Sequence, residues 1–216
     1  TALAGYYAEH RRSDDLDLFA KNEEVHRAAV LAVRGLGKAG TVFKKETTTP
    51  SFYKGHLELR GHSFTVDLVV DENLHRVGKA LERKDGVFVV DLPTLFATKA
   101  ATLLSRASEK DLFDLAWMFD RMGGIDVGEV VRQGILIDGG MNVEGMLISL
   151  RGVALREDAC GFLLDNSKRA IREAYETVEG LRKKLISSLL EYERRQPISS
   201  EAQEIKKVFR DLRRKE

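Results

Sequence analysis

The chain has 216 residues, 43% hydrophobic and 32% charged, with a formal net charge of +1. That is an ordinary globular composition with enough length for a real apolar core, in one large domain or two small ones. A lone cysteine, Cys160, excludes an internal disulfide, and no apolar run approaches the roughly eighteen residues of a membrane-spanning helix. With no signal-peptide pattern either, a cytoplasmic location without a membrane partner is the expectation. The near-neutral balance leaves a nucleic-acid partner and a small substrate equally open, because a local patch counts for more than the total.

The chain opens on Thr1 rather than methionine and runs directly into an apolar, helix-like stretch, with Leu3 and Tyr7 four apart on one side. This suggests that further residues lie upstream. His10-Arg11-Arg12 makes a positive turn into Ser13-Asp14-Asp15-Leu16-Asp17-Leu18-Phe19. Strand alternation here puts Asp15 and Asp17 on one face and aims Leu16 and Leu18 into a core. Two carboxylates side by side repel each other, so a fold tolerates them readily where a cation sits between them. Hard oxygen donors at this spacing suit Mg²⁺ or Mn²⁺, although a wet edge strand shows the same spacing. The positive turn serves equally to balance charge or to hold an anionic substrate.

Residues 23–36 carry Val25, Ala28, Ala29, Ala32, Val33 and Leu36 at helical spacing. Gly35, Gly37 and Gly40 then read as a helix stop, since they lack the spacing and the strand-loop-helix order of a phosphate loop. Three strands are predicted next, over 41–45, 52–60 and 63–70, the last two joined as a hairpin at Gly61-His62. In the third, Val66, Leu68 and Val70 share one face, and Thr65, Asp67, Val69 and Asp71 the other. Asp67 thus interrupts a hydrophobic strand, where an unpaired carboxylate is costly. It reads as a salt-bridge partner, a solvent-facing residue, or a third acid meeting Asp15 and Asp17. Three converging aspartates are what two-metal phosphoryl transfer needs.

Lys84-Asp85-Gly86 is a tight turn before a short strand over 87–90. Asp91 and Pro93 mark the start of a helix running to Arg106, with Thr94 and Leu95 in its first turn. Within it Lys99 has small and apolar neighbours, and either snorkels to water or reaches a triphosphate as a point charge. The following helix carries Leu112, Leu115 and Phe119 as an apolar stripe, with Lys110, Asp111 and Asp114 on a more polar side and Gly123-Gly124 closing it. Residues 127–161 read as short helices and loops. A long helix spans 166–195, ends before Pro197, and is followed by a last helix from Ser200. From residue 166 onward there are fourteen Lys and Arg against nine Asp and Glu, which suits a solvated face or a modest RNA or subunit contact. Strands dominate before Asp91-Leu92-Pro93 and helices after it. The predicted division is therefore a core over 1–92 and a helical region over 93–216, whose first helices complete the active site.

In this order, Thr1-Ala2-Leu3 with residues 10–19, then Asp67, then Leu95-Phe96-Ala97-Thr98-Lys99 with Arg106, then Lys110-Asp111-Leu112-Phe113-Asp114-Leu115, resembles a known motif series. It is that of the AbiEii/AbiGii toxin nucleotidyltransferases, of the polymerase-beta-like superfamily, found in toxin–antitoxin and phage-defence (abortive infection) modules. The likeness rests on the first and last motifs together and covers roughly residues 1–120. It implies an α+β fold, with a polymerase-beta-like core on a short mixed sheet followed by a helical C-terminal half. It also implies an enzyme that moves a nucleoside monophosphate from a nucleoside triphosphate to a hydroxyl. On this resemblance Asp15, Asp17 and Asp67 would hold Mg²⁺ or Mn²⁺, and Lys99, Arg12, Ser13 and Arg106 the phosphates. Asp111 would order Lys99 or the substrate. The implied acceptor is RNA, with the acceptor end of tRNA as one candidate, and the implied partner is a cognate antitoxin. A protein or small-molecule acceptor, and a non-catalytic descendant that only binds a partner, are the alternatives. In the family a Gly-Gly or Gly-Ser pair stands immediately before Thr-Ala-Leu and gives backbone contacts to the triphosphate; the chain begins just after that position.

Overall fold

Alternating burial in two neighbouring strands sets the architecture of the first half. The computed structural model describes residues 2–196. Strand β1 (Asp15–Ala20) lies parallel to β4 (His62–Val70). Strand β3 (Phe52–Leu59) is antiparallel to both β4 and β2 (Val42–Thr48), giving one mixed sheet in the order β1-β4-β3-β2. Val66 and Leu68 of β4, with Tyr53 and Leu57 of β3, are buried against Val30 and Val33 of helix α1 (Glu23–Gly35). The Asn22 side chain caps that helix by accepting from the Val25 N–H.

The hairpin joint lies one residue earlier than predicted. Arg60 and Gly61 have φ of 52° and 81°, both left-handed, as a two-residue hairpin turn of the favoured twist requires. Gly55 is also needed as glycine. A Cβ there would come within 2.5 Å of the Tyr53 hydroxyl, which crosses it to donate to Glu46 Oε1 at 2.8 Å. Burial, then that carboxylate, pushes the Tyr53 phenol up to about 12.

The expectation that Leu16 and Leu18 point into a core is not met. They are 39% and 41% exposed, because β1 is the edge strand of the sheet and α1 leaves it partly uncovered. Both line a cleft between the sheet and the rest of the chain.

Past the sheet, Asp71 caps a short helix α2 (Glu72–Val77), followed by a hairpin of β5 (Ala80–Glu82) and β6 (Phe88–Val90). Neither α2 nor β5 is long enough to show a period, so neither was legible in the sequence. The Asp91 carboxylate accepts from the Thr94 N–H at 2.9 Å and starts α3 (Leu92–Ser105) with Pro93 in its first turn. Ser108 caps α4 (Glu109–Arg121). Helices α5 (Val127–Ile137), α6 (Val143–Gly152) and α7 (Lys168–Arg195) complete the described chain. Leu103, Leu112, Leu115, Val130, Met146 and Leu185 form a second core among them, and α7 runs unbroken through Gly180. Leu3, in the short helix Leu3–Ala8, also packs into this helical cluster.

The result is an α+β fold with a short mixed sheet and a helical C-terminal half. The basic residues of α7 are largely balanced on the helix itself, as in Arg169–Glu173, Arg172–Glu176 and Arg195–Glu191. Thr1, Pro197 and the helix predicted from Ser200 lie outside the described residues. Among those described, no helix is long and apolar enough to cross a membrane.

Candidate active site

Two polar clusters reach the cleft, one on the strands through Asp17 and one on the helices through Lys99, Arg106 and Asp114. The strand cluster follows from register. Asp17 lies opposite Asp67, and Asp15 opposite Thr65, across the parallel β1–β4 pair. On the far side of β4, Lys54 lies opposite Asp67 and His56 opposite Thr65. Directly opposed residues point to the same side of a sheet. The outer face therefore carries one row of Asp17, Asp67 and Lys54 and a second of Asp15, Thr65 and His56.

Each of two carboxylates has a local partner. Lys54 Nζ donates to Asp67 Oδ2 at 2.9 Å, while Asp67 Oδ1 is buried without a hydrogen-bond partner. Thr65 Oγ1 donates to Asp15 Oδ1 at 2.7 Å, and Lys110 of α4 brings Nζ within 3.7 Å of Asp15 Oδ2. Partial burial pushes the Asp15 carboxyl up, but the Thr65 hydrogen bond and the charges of Lys110 and Lys54 outweigh it and hold it below its usual value.

The three acids share a face, yet among the described residues no three His, Cys, Asp or Glu side chains close around a common point. The Asp17–Asp67 pair meets in register, while Asp15 is engaged with Thr65 and Lys110. The donor set still fits Mg²⁺ or Mn²⁺. All the donors are hard oxygens, the strands that carry them lie about 4.8 Å apart, and one buried carboxylate oxygen has no partner.

The helical cluster corrects the expectation that Asp111 and Asp114 lie on a polar side. They are 2% and 0% exposed. Burying two carboxylates is tolerable only with paired cations, and several converge here. Lys99 Nζ lies 2.8 Å from Asp111 Oδ1 and 2.8 Å from Asp114 Oδ2. Arg11 grips Asp114 with two hydrogen bonds of 2.7 and 2.8 Å, and His10 Nε2 lies 2.9 Å from its Oδ1. The His10 ring is stacked on Phe113 at 5.5 Å. Ser108 Oγ donates to Asp111 Oδ2 at 2.6 Å, and Arg106 Nε approaches that oxygen at 2.9 Å.

Burial raises both acids, but the paired groups win. Arg11, His10 and Lys99 hold the Asp114 carboxyl far below its usual value, and Lys99, Ser108 and Arg106 lower that of Asp111. Lys99 does not snorkel to water, since its side chain is only 18% exposed. Two of the three N–H groups of an ammonium are thereby committed.

The remaining predicted residues divide. Arg106 lines the cleft with Lys99 and Asp17, and its side chain is 65% exposed. Arg12 instead donates to the Gly161 carbonyl at 2.8 Å and to Asn166 Oδ1 at 3.2 Å, which ties its guanidinium to that loop. Ser13 Oγ donates to the Asp15 carbonyl at 3.4 Å. The cleft has a volume of about 890 Å³, with Leu16, Leu18 and Phe88 among its apolar walls. Sequence reasoning gave no site role to Lys54 or Thr65, read His10 and Arg11 only as part of a positive turn that balances charge or holds an anion, and named Asp114 only as a member of the last acidic motif. The available signal for Asp114 was its position one turn after Asp111, on the same helix face.

The family model described as the nucleotidyl transferase AbiEii toxin of a type IV TA system matches residues 1–135. Among solved structures, MenT4, a nucleotidyltransferase toxin from Mycobacterium tuberculosis H37Rv, superposes with a TM-score of 0.51 at 16% identity, covering 86% of this chain and 76% of that one. At that identity the likeness concerns the fold alone. JHP933 from Helicobacter pylori aligns over 91% of this chain and 87% of that one, at 16% identity and a TM-score of 0.44. None of the curated proteins matches the chain.

Proposed function

Because the chain belongs to the AbiEii nucleotidyltransferase toxin family, we propose that it transfers a nucleoside monophosphate from a nucleoside triphosphate to a hydroxyl of RNA, in a reaction dependent on Mg²⁺ or Mn²⁺. The observation that carries this reading is the cleft itself. It presents Asp17, which is in register with Asp67, on one side and Lys99 with Arg106 on the other. In this reading residues 1–92 supply the carboxylates, and the first helices of 93–216 supply the cations.

Asp15, Asp17 and Asp67 would hold the divalent ions, which supply positive charge against the negative charge that develops during transfer. The acceptor oxygen forms a bond to the α-phosphorus as the bond from that phosphorus to the bridging oxygen breaks, and pyrophosphate leaves. Asp67 Oδ1, which no side chain occupies, takes the proton of the acceptor hydroxyl. Lys99, immobilised by Asp111 and Asp114, meets the leaving phosphates with its remaining N–H, and Arg106 reaches them from the cleft wall. Preorganisation is the physical merit of this arrangement: the cation is fixed before the substrate arrives. The toxin–antitoxin setting of the family supports a cognate antitoxin as partner and a role in phage defence.

The test is incubation with each labelled triphosphate, Mg²⁺ and total RNA, beside an Asp17→Ala control. Metal-dependent label should enter RNA, with the acceptor end of tRNA the first place to look, and fall by about a hundredfold or more in the variant. Transfer that persists in Asp17→Ala overturns the site. Label found in protein instead moves the acceptor to a protein hydroxyl.

A further inference from the structure

Lys54 extends from β3 beside Asp67 and has no role in the reaction described above. Its Nζ lies 2.9 Å from Asp67 Oδ2, and the other oxygen of that carboxylate is buried without a partner. The arrangement is fixed by backbone register rather than by a flexible surface encounter. Lys54 is the β3 partner of Asp67, and Asp17 is its β1 partner. An ammonium therefore stands at one end of a row whose other two members are Asp67 and, at the cleft, Asp17. A carboxylate with both oxygens available can present either one to a divalent ion. With one oxygen committed to a lysine, it offers only the other.

We propose that Lys54 is a positioning residue that commits Oδ2 of Asp67, so that Asp67 addresses the divalent ion and the acceptor hydroxyl through Oδ1 alone. This rests on the divalent-ion reading of the same site. Two consequences follow from charge and geometry. The ammonium opposes tight capture of a second cation nearby, and it shields Asp67 from Asp17 in the metal-free protein. Lys54 thus trades metal affinity for a fixed proton-accepting oxygen.

The test uses the full chain with Lys54→Met, Lys54→Gln and Lys54→Arg. Mn²⁺ is the probe, followed by the electron paramagnetic resonance signal of the free ion, alongside steady-state transfer and thermal melting with and without Mg²⁺. Both neutral variants should bind Mn²⁺ on the order of tenfold more tightly. Their kcat should fall by about tenfold, with KM for the triphosphate within about twofold of the parent value. Melting should drop only in the metal-free protein, with Mg²⁺ restoring it, and Lys54→Arg should recover the parent behaviour in each measurement. A salt bridge that merely braces the sheet would lower melting equally with and without Mg²⁺ and leave Mn²⁺ binding unchanged. That result overturns the proposal, as does weaker Mn²⁺ binding in the neutral variants. Asp17→Ala separates the two levels of inference. If Asp17→Ala loses Mn²⁺ binding while Lys54→Met matches the parent, the role of Lys54 alone fails. If the parent protein binds no Mn²⁺, the divalent-ion reading fails with it.

Discussion

The strand cluster and the helical cluster use the same residue types to opposite ends. On the helices, Asp111 and Asp114 are sealed from water and saturated with Lys99, Arg106, Arg11, His10 and Ser108. Of the strand acids, only Asp17 lines the cleft. Beside it, among the described residues, Asp15 is held by the Thr65 hydroxyl and a distant Lys110, Asp67 by Lys54 alone, and one Asp67 oxygen has no hydrogen-bond partner. A saturated buried acid contributes to the shape of the site. An under-satisfied acid at a cleft is available for chemistry. The contrast is one of stability against function, and it can be broken by experiment.

The largest expected effect is on the helices. Asp114→Ala leaves Arg11 buried without its anion and Lys99 with Asp111 alone, and should cost about 3–5 kcal/mol in chemical denaturation. Asp17→Ala should cost less than about 1 kcal/mol while abolishing transfer. A comparable stability loss in Asp17→Ala would make the strand acids structural and erase the distinction.

Acid should sharpen the comparison next. Asp111 and Asp114 are both lowered in the folded protein. Their stabilisation is therefore complete above the ordinary carboxylate value of about 3.9 and is lost as the pH falls through the depressed folded values. Urea midpoints taken from pH 7 to pH 3 should drop more steeply for the parent than for Asp114→Asn, in which the titrating group is gone. Asp15 is lowered too, but its partial exposure screens the contribution, so Asp15→Asn should leave the acid profile almost parallel to that of the parent.

The smallest effect belongs to Lys110. Its contact with Asp15 spans 3.7 Å between side chains 40% and 47% exposed, the kind of pair that contributes about 0–1 kcal/mol. Lys110→Ala should shift the melting temperature slightly, and 0.5 M salt (about a 4–5 Å screening length) should remove even that difference.

Much of the fold was legible because its elements are periodic. The alternation in β4 placed Val66 and Leu68 inward and Asp67 outward, as observed. Asp91, Pro93 and Gly123-Gly124 punctuated α3 and α4 near where they begin and end. What escaped was whatever depends on tertiary neighbours. Nothing local reveals that β1 is an edge strand with Leu16 and Leu18 half uncovered. Asp114 reads as a surface acid until Arg11 and His10 arrive from the other end of the chain. Lys54 turned on one residue of register. A turn at Gly61-His62 would set His56 against Asp67, whereas the observed turn at Arg60-Gly61 sets Lys54 there. The motif acids Asp15, Asp17, Asp67 and Asp111 were named from sequence, but how they divide between scaffold and cleft follows from burial alone.

The bond from Arg11 to Asp114 joins residues 103 positions apart, and it lies just ahead of the strand that carries Asp15 and Asp17. A ribosome adding about 5–20 residues per second delivers the arginine many seconds before its anchor. Through that interval the acidic strand on the nascent chain has neither its mooring nor the lysine it must face. On the proposed reading, the nucleotide-transferring site is complete only once α4 has emerged, so making the acidic strand and arming it are separated in time.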